Sequence, residues 1–244
     1  MRLAMDDAIQ GVMDSNWKDT LIVLIPKKDY PMDPSNYRTI SLCKTIYKLV
    51  EKILLNRMVS IIPKLISPNQ AAFIKGHSLS DHILIAQEIF HKFRYSKASK
   101  GLVSFKVDVE KAYDSMDWRT LEQILKYFGF PSHLSTMVID CIENPRYFIF
   151  INGNSSDWIK ASNGFRQGCP LSPFLFVLCS QLLSNALFQE EEEIGVKVHP
   201  KAPRISHLIY VDDILTLSEA NLKLVIGWDR RLICKNPQSY LVKR

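Results

Sequence analysis

Two adjacent aspartates interrupt an apolar stretch near the end of this 244-residue chain. Residues 208–211 lead into Asp212 and Asp213, and the apolar residues 214–217 lead out. Two β-prone runs around two polar residues predict a tight hairpin with both aspartates at its tip. Two like charges beside an apolar core are costly, so a divalent cation is the functional interpretation. An ordinary turn, which aspartate also favours, is the alternative.

A third carboxylate lies on another predicted strand about 100 residues upstream. Residues 102–110 alternate, with Val107 and Val109 on one face and Asp108 on the other, which indicates a half-buried strand. Carboxylate oxygens are the ligands that hard cations prefer. These three acids predict a pair of Mg²⁺ ions roughly 3.5–4 Å apart, clamping the two oxygens of a phosphoryl displacement. The phosphate-binding loops GxxxxGK and GxGxxG are absent from the sequence.

Composition suggests an acidic partner and excludes several classes of protein. Lysine and arginine number 31 against 25 acidic residues, a formal charge of +6, with basic blocks over 27–64 and 91–107. Such blocks suit nucleic acid, and solvated surfaces are the alternative. Five cysteines without a CxxC pair disfavour a disulfide scaffold and fit a reducing compartment. Without a membrane-length apolar run or a secretory signal, we expect an intracellular protein that makes no membrane contact.

Hydrophobic periodicity predicts an α+β fold rather than a doubly wound parallel sheet. The dipeptide Asn152–Gly153 predicts a hairpin whose return strand covers 158–161. Other strands are expected over 21–25, 102–110, 147–151, 208–211 and 214–217, and helices over 41–62, 81–93, 118–128, 132–143 and 173–188.

Three segments, in order, resemble motifs of reverse transcriptases. FKVDVEKAYD at 105–114 resembles the first catalytic motif, FRQGCPLSP at 165–173 the RQGxPLSP motif, and YVDD at 210–213 the YxDD motif. Further segments resemble the non-LTR (LINE-type) branch, the last of them plant elements in particular: LIPK at 24–27, YRTISL at 37–42, SPNQAAF at 67–73 and PRISHL at 203–208.

The resemblance implies a catalytic role for three acids. Asp108 and Asp212 would bridge two Mg²⁺ ions, and Asp213 would support the ion at the primer 3′-hydroxyl. The backbone carbonyl of Val109 would complete the ion on the nucleotide side. The implied activity is RNA-directed DNA polymerisation, in which dNTPs are added to a DNA primer on an RNA template.

The resemblance also implies a nucleotide pocket. Tyr113 would be a steric gate that rejects a ribose 2′-hydroxyl, with an ordinary core residue as the alternative. Gln167 would line the nucleotide pocket, and Gly168, which has no side chain, would permit the backbone to approach closely there. Arg38 and Lys27 would hold the triphosphate and offset charge on the leaving phosphate. Solvated surface charges are the alternative for these two.

The resemblance covers residues 16–218 and implies polymerase fingers over about 16–100, followed by a palm over about 101–218 that contains finger insertions. Helices would pack on an antiparallel palm sheet. Residues 219–244 match nothing recognised, so a truncated element without a thumb is expected. A non-catalytic RNA-binding remnant and an inactive, decayed transposon fragment are the alternatives. Such an element would need nuclear access; protein partners remain unassigned.

Overall fold

The computed structural model describes residues 13–96, 101–109, 112–189, 194–219 and 240–243. The chain divides into two units, each made of two separate stretches. The first unit contains residues 1–61 and 111–176, and the second contains residues 62–110 and 177–244. Within the described residues, no helix is both long and apolar enough to cross a membrane.

The elements are numbered in chain order. The helices are α1 (Thr45–Met58), α2 (Ile62–Leu65), α3 (Leu79–Tyr95), α4 (Trp118–Tyr127), α5 (Ser132–Ile142) and α6 (Ser172–Gln189). The strands are β1 (Thr20–Pro26), β2 (Tyr37–Cys43), β3 (Leu102–Asp108), β4 (Arg146–Ile151), β5 (Asn154–Ser155), β6 (Ile159–Lys160), β7 (Val196–Lys197), β8 (Arg204–Ile205), β9 (His207–Tyr210), β10 (Asp213–Glu219) and β11 (Tyr240–Lys243).

The first unit contains a mixed sheet in the order β2–β1–β4–β5, with β6 also paired to β4. Strands β1 and β2 are antiparallel, whereas β1 and β4 are parallel. Asp117 precedes the α4 helix, and its side chain accepts a hydrogen bond from the Thr120 amide at 2.8 Å and so caps the helix. Its buried residues Trp118, Leu121 and Leu125 recur at helical spacing and form one apolar face.

The second unit contains an antiparallel sheet in the order β11–β3–β10–β9. On one face, Val107, Ile209 and Ile214 form a buried cluster against which Leu183 of α6 packs. The other face is covered at one end by a second apolar cluster: Ile89, Phe93, Leu102, Val196 and Leu217. This helix-covered antiparallel sheet confirms the predicted α+β fold.

The predicted helix 41–62 is wrong at both ends. Residues 41–43 belong to β2, because this segment completes antiparallel pairing with β1 as far as the Thr20–Cys43 pair. The helix ends at Met58, and Pro63 lies inside the separate short helix α2, where the first turn tolerates proline. Apolar spacing alone cannot distinguish a strand end from a helix start when the partner strand is distant in sequence.

The predicted hairpin after β4 is present. Asn152 and Gly153 both adopt positive φ, +50° and +86°, as a tight hairpin turn requires. The return strand comes earlier than expected, because β5 starts at Asn154 and pairs with the end of β4. The predicted segment 158–161 contains β6, which pairs with the start of β4.

Candidate active site

Asp108 and Asp213 lie opposite each other where β3 and β10 pair. Antiparallel partners point to the same face of a sheet, with Cβ atoms about 4.5–5.5 Å apart. Both aspartates lie at the exposed end of that face, beyond the apolar cluster that covers its other end. The structure therefore brings together two of the three predicted catalytic carboxylates.

Asp212 occupies the two-residue turn between β9 and β10, next to Val211. Its carbonyl accepts a long hydrogen bond of 3.4 Å from the Val109 amide, which joins the turn to the end of β3. Desolvation, followed by the charges of Asp108 and Asp213, raises the pKa of Asp212. The hairpin was predicted correctly, but Asp213 is the first residue of β10 rather than part of the tip.

Lys106 balances part of this negative charge. Its ammonium lies 2.8 Å from an Asp213 carboxylate oxygen, and the two side chains are 57% and 51% exposed. The contact with Asp213, and then the charges of Asp108 and Asp212, raise the pKa of Lys106. An exposed ion pair of this kind is weak and readily exchanged. A cation therefore already sits against the carboxylates.

No three histidine, cysteine, aspartate or glutamate side chains form a ready-made metal site within the described ranges. This is compatible with magnesium, since Mg²⁺ is usually held by one or two carboxylates together with waters and substrate phosphates. The carboxylate oxygens of Asp108, Asp212 and Asp213 are of the type that hard cations prefer, and the Lys106 ammonium contacts one of them. The residues present therefore fit a divalent ion.

Tyr113 lies in the first unit, in the segment before α4. Its ring stacks on Phe176, with centroids 5.0 Å apart and planes inclined by 15°. Its carbonyl accepts a 2.7 Å hydrogen bond from the Phe165 amide, so Tyr113 is tied to the start of the segment that carries Gln167. Its ring is half-buried.

Gln167 and Gly168 form a turn against β2. The Gln167 carbonyl accepts a 2.8 Å hydrogen bond from the Ser41 amide. Gly168 has φ of +101°, a backbone conformation that favours glycine, and a Cβ there would lie 3.4 Å from the Ser41 carbonyl oxygen, an ordinary contact distance. In this turn Gly168 lies against the backbone of β2, and the close backbone approach predicted for it in a nucleotide pocket stays a prediction.

Arg38 and Lys27 lie at the same end of the β1–β2 pair. Arg38 is paired with Ile25, and the Lys27 amide donates to the Asn36 carbonyl at 2.8 Å. The Lys27 ammonium also donates to the Ser35 carbonyl at 3.0 Å. Lys27 and Arg38 are both exposed. The first unit thus places Arg38 on the strand against which the Gln167–Gly168 turn packs.

Several residues that sequence reasoning did not assign also shape these segments. The Arg166 guanidinium lies 4.2 Å from the ring centroid of Tyr47 and anchors the segment before Gln167 in the interior. Cys43 and Cys169 have their sulfur atoms 3.0 Å apart. Lys106 could have been found from the alternation of apolar and polar residues over 102–110, which places it on the same face of the strand as Asp108. The cysteine pair could not, since its members are 126 residues apart.

Comparison with known proteins identifies the family. The family described as reverse transcriptase (RNA-dependent DNA polymerase) matches residues 25–229. A Pol polyprotein of the type-1 retrotransposable element R2 of Nasonia vitripennis is 27% identical over 209 residues, which are 86% of this chain and 20% of that protein. The transposon TX1 149 kDa protein of Xenopus laevis is 25% identical, over 86% of this chain and 16% of that protein. The chain therefore spans a fifth or less of the length of these relatives.

A solved structure shows the same fold. Apo telomerase of Candida tropicalis superposes with a TM-score of 0.59 at 14% identity, covering 95% of this chain and 51% of that one. The polymerase fold expected from the motifs is thereby confirmed, and so is the resemblance to retrotransposon enzymes. The chain belongs to the reverse transcriptase family of RNA-dependent DNA polymerases.

Proposed function

We propose that this chain extends a DNA 3′-hydroxyl by adding dNTPs on an RNA template. The observation that carries the proposal is the pairing of Asp108 with Asp213, with Asp212 in the adjoining turn. Asp108 and Asp213 are directly opposite each other, so their like charges destabilise the strand pairing, and Lys106 offsets this only in part. A metal-binding role would explain their placement. The family to which the chain belongs uses nucleic acid templates and divalent metal ions.

The metal ligands follow from this placement. Asp108 and Asp212 would bind two Mg²⁺ ions, Asp213 would support one of them, and the Val109 carbonyl would contribute to the other. When bound, the two ions supply positive charge that activates the attacking hydroxyl and stabilises the leaving oxygen. Strand pairing and the two-residue turn hold the backbone of the three aspartates, and the Lys106 ammonium would leave Asp213 when a metal binds.

The nucleotide would be selected by residues of the first unit. Stacking on Phe176 holds the Tyr113 ring in one orientation, which a steric gate against a ribose 2′-hydroxyl requires. Gln167 and Gly168 would line the pocket, positioned by the hydrogen bond between the Gln167 carbonyl and the Ser41 amide. These roles are supported by the family motifs, by the stacking of Tyr113 on Phe176 and by the hydrogen bond of Gln167 to Ser41.

Arg38 and Lys27 would contact the triphosphate. Both cations are exposed at one end of the β1–β2 pair. A guanidinium offers paired donors to phosphate oxygens, and an ammonium offers a compact charge. The hydrogen bond from the Lys27 ammonium to the Ser35 carbonyl would be exchanged for phosphate upon nucleotide binding.

The proposed domain spans residues 16–218, with fingers to about residue 100 and a palm beyond. The segment 219–244 stays unassigned in function, although the family match continues to residue 229. The proposed partners are an RNA template, a DNA primer and dNTPs. A retrotransposon enzyme of this kind would need nuclear access to meet its DNA.

The test is primer extension on an RNA template with Mg²⁺. We expect the unsubstituted chain to extend the primer and Asp212→Asn to reduce extension at least about 100-fold, as loss of a metal ligand does. Asp157→Asn, which changes an exposed aspartate of the first unit, is the matched control and should retain activity. Template binding without extension would instead identify the RNA-binding remnant, and equal activity of Asp212→Asn would overturn the mechanism.

A further inference from the structure

Gln70 is buried beside the turn that carries Asp212. Only 1% of the residue is exposed, although glutamine is ordinarily a surface residue. It lies in the segment between α2 and α3, within the second unit.

The side chain of Gln70 is oriented by two hydrogen bonds. Its Oε1 accepts from the Ala72 amide at 3.0 Å and from the Val211 amide at 3.3 Å. Both donors are backbone N–H groups, so the oxygen rather than the nitrogen must face them. Gln70 therefore joins its own segment to the first residue of the turn.

Val211 needs such support. It has φ of +57°, a left-handed conformation that is a true outlier for a β-branched residue. Strained backbone of this kind persists only where the surroundings hold it in place. The hydrogen bond from the Val211 amide to Gln70 supplies part of that hold, directly before Asp212.

The backbone around Gln70 is itself fixed on β9. The Ile209 amide donates to the Asn69 carbonyl at 2.7 Å, and the Ala71 amide donates to the Ile209 carbonyl at 3.0 Å. Residues 69–71 thus form a short parallel bridge along the strand that leads into the turn. The position of the Gln70 amide is set by the same strand whose end it supports.

The burial of the Gln70 amide nitrogen is unfavourable for stability. Its buried Nε2 has no hydrogen-bond acceptor within the described part of the chain. A buried donor without a partner is destabilising, so an apolar residue of similar shape would suit folding better. The Gln70 oxygen, by contrast, accepts two hydrogen bonds, one of them from the turn.

We propose that Gln70 is a positioning residue that holds the strained Val211 turn, and with it Asp212, in the geometry that binds metal. The proposal rests on the proposed function for the metal-binding role of Asp212, but the hydrogen bond itself is independent of that function. Gln70 acts through Val211 and touches neither metal nor nucleotide in this account.

Gln181 provides a matched control. It is also buried, at 4% exposure, and its Oε1 accepts from the Ser67 amide at 2.9 Å. It lies in the same unit, but its side chain bonds to Ser67 and Asn185 rather than to the turn of Val211; its amide nitrogen donates to the Asn185 side-chain oxygen at 2.7 Å. Gln70→Met and Gln181→Met therefore each remove one buried amide that accepts from backbone.

The first measurement is amide hydrogen exchange in the metal-free full chain. Gln70→Met should speed exchange of the Val211 amide at least about tenfold, since it loses its acceptor. Gln181→Met should leave that amide unchanged, and Gln70→Glu, which keeps an accepting oxygen, should preserve its protection. Unchanged Val211 exchange in Gln70→Met would overturn the proposal whether or not the chain polymerises DNA.

The second measurement is Mn²⁺ binding by electron paramagnetic resonance, followed by steady-state primer extension. Gln70→Met should weaken Mn²⁺ binding about tenfold and lower kcat with little change in KM for dNTP, unlike Gln181→Met.

Val211→Gly relieves the strain, so the same Gln70 substitution should have a smaller effect in that background. Equal effects of Gln70→Met and Gln181→Met would show a merely structural role. Absence of extension by the unsubstituted chain would count against the proposed function alone, because the exchange result still decides the role of Gln70.

Discussion

Asp108 and Asp213 are direct partners in the antiparallel pairing of β3 and β10, although they are 105 residues apart in the sequence. Because the pairing is antiparallel and in register, both side chains project from one face of the sheet. A metal ion between such acids removes their repulsion, whereas without metal the repulsion opposes folding.

Metal addition should therefore raise the thermal stability of the unsubstituted chain. At 100 times its dissociation constant, an ion that binds only the folded state stabilises by about 2.7 kcal/mol, and Tm should rise by roughly 5–10 °C. Asp108→Asn should abolish this rise, yet in EDTA it should be at least as stable as the original because one repelling charge is gone. Differential scanning calorimetry with EDTA and with Mn²⁺ measures both effects. An undiminished rise in Asp108→Asn would contradict the site.

Lys106 should compete with metal for Asp213. Replacing it in Lys106→Met removes the ammonium 2.8 Å from the carboxylate. Because the pair is exposed, metal binding should tighten by only about two- to fivefold at low salt. Titration with Mn²⁺ at low and high ionic strength checks this, and the difference should shrink as salt screens the charges. Weaker metal binding in the variant would show that Lys106 assists rather than competes.

Tyr113 should control discrimination between dNTPs and rNTPs. Tyr113→Ala removes the ring stacked on Phe176 and should lower the ratio of kcat/KM for dNTP to that for rNTP at least about tenfold. Tyr113→Phe keeps the ring and should keep the ratio. Single-nucleotide incorporation with matched dNTP and rNTP measures it. If Tyr113→Ala lost stability but kept full selectivity, the residue would be a core residue and not a gate.

His207 should make the fold sensitive to acid. It is fully buried between the Ser184 and Ser206 hydroxyls, and burial lowers its pKa to about 4. The unfolded state, with a pKa near 6.5, binds a proton that the folded state does not. As the pH is lowered from roughly 6.5 to 4, His207 should therefore reduce the free energy of unfolding by about 1.4 kcal/mol for each pH unit.

Urea denaturation of His207→Gln across that pH range tests the acid sensitivity. In His207→Gln the free energy of unfolding should change less steeply with pH. In His133→Gln, which replaces an exposed histidine, this pH dependence should be unchanged. Identical slopes in the two variants would mean that other groups govern acid unfolding.

Cys43 should be the most reactive of the described cysteines. Its hydrogen bond with Cys169, aided by the Arg166 charge, lowers the pKa of Cys43 below the usual value for a thiol, whereas burial raises the pKa of Cys179 to about 12. Alkylation of Cys43 by iodoacetamide should therefore reach half its maximal rate at a lower pH than alkylation of Cys179. Peptide mass spectrometry follows each site, and Cys169→Ala should move the midpoint upward. An unchanged midpoint would show that Cys169 does not stabilise the thiolate.

Much of the fold could be predicted because it is local. Helices α3 to α6 follow from apolar spacing, and the turn at Asn152–Gly153 follows from two residues that tolerate positive φ. Strand β2 was missed, and α1 was predicted too early, because the strand character of 37–43 depends on pairing with β1. The domain boundary near residue 100 stays a prediction.

Individual site residues were recognisable, but their relations were not. The motifs around Asp108 and Asp212–Asp213 predicted three carboxylates, because a period-two strand and an interrupted β run are visible in the sequence alone. Their register, the salt bridge from Lys106 and the support of Val211 by Gln70 each join residues from separate segments or separate strands.

The sequence by itself thus determined the family, the helices and the identity of the acids, since each depends on residue type and short-range spacing. Only the tertiary structure decided which acids face each other and what holds the turn between β9 and β10. Strand register and buried hydrogen bonds depend on the packing of segments that are far apart in the chain, and short-range sequence patterns do not indicate which segments will pair.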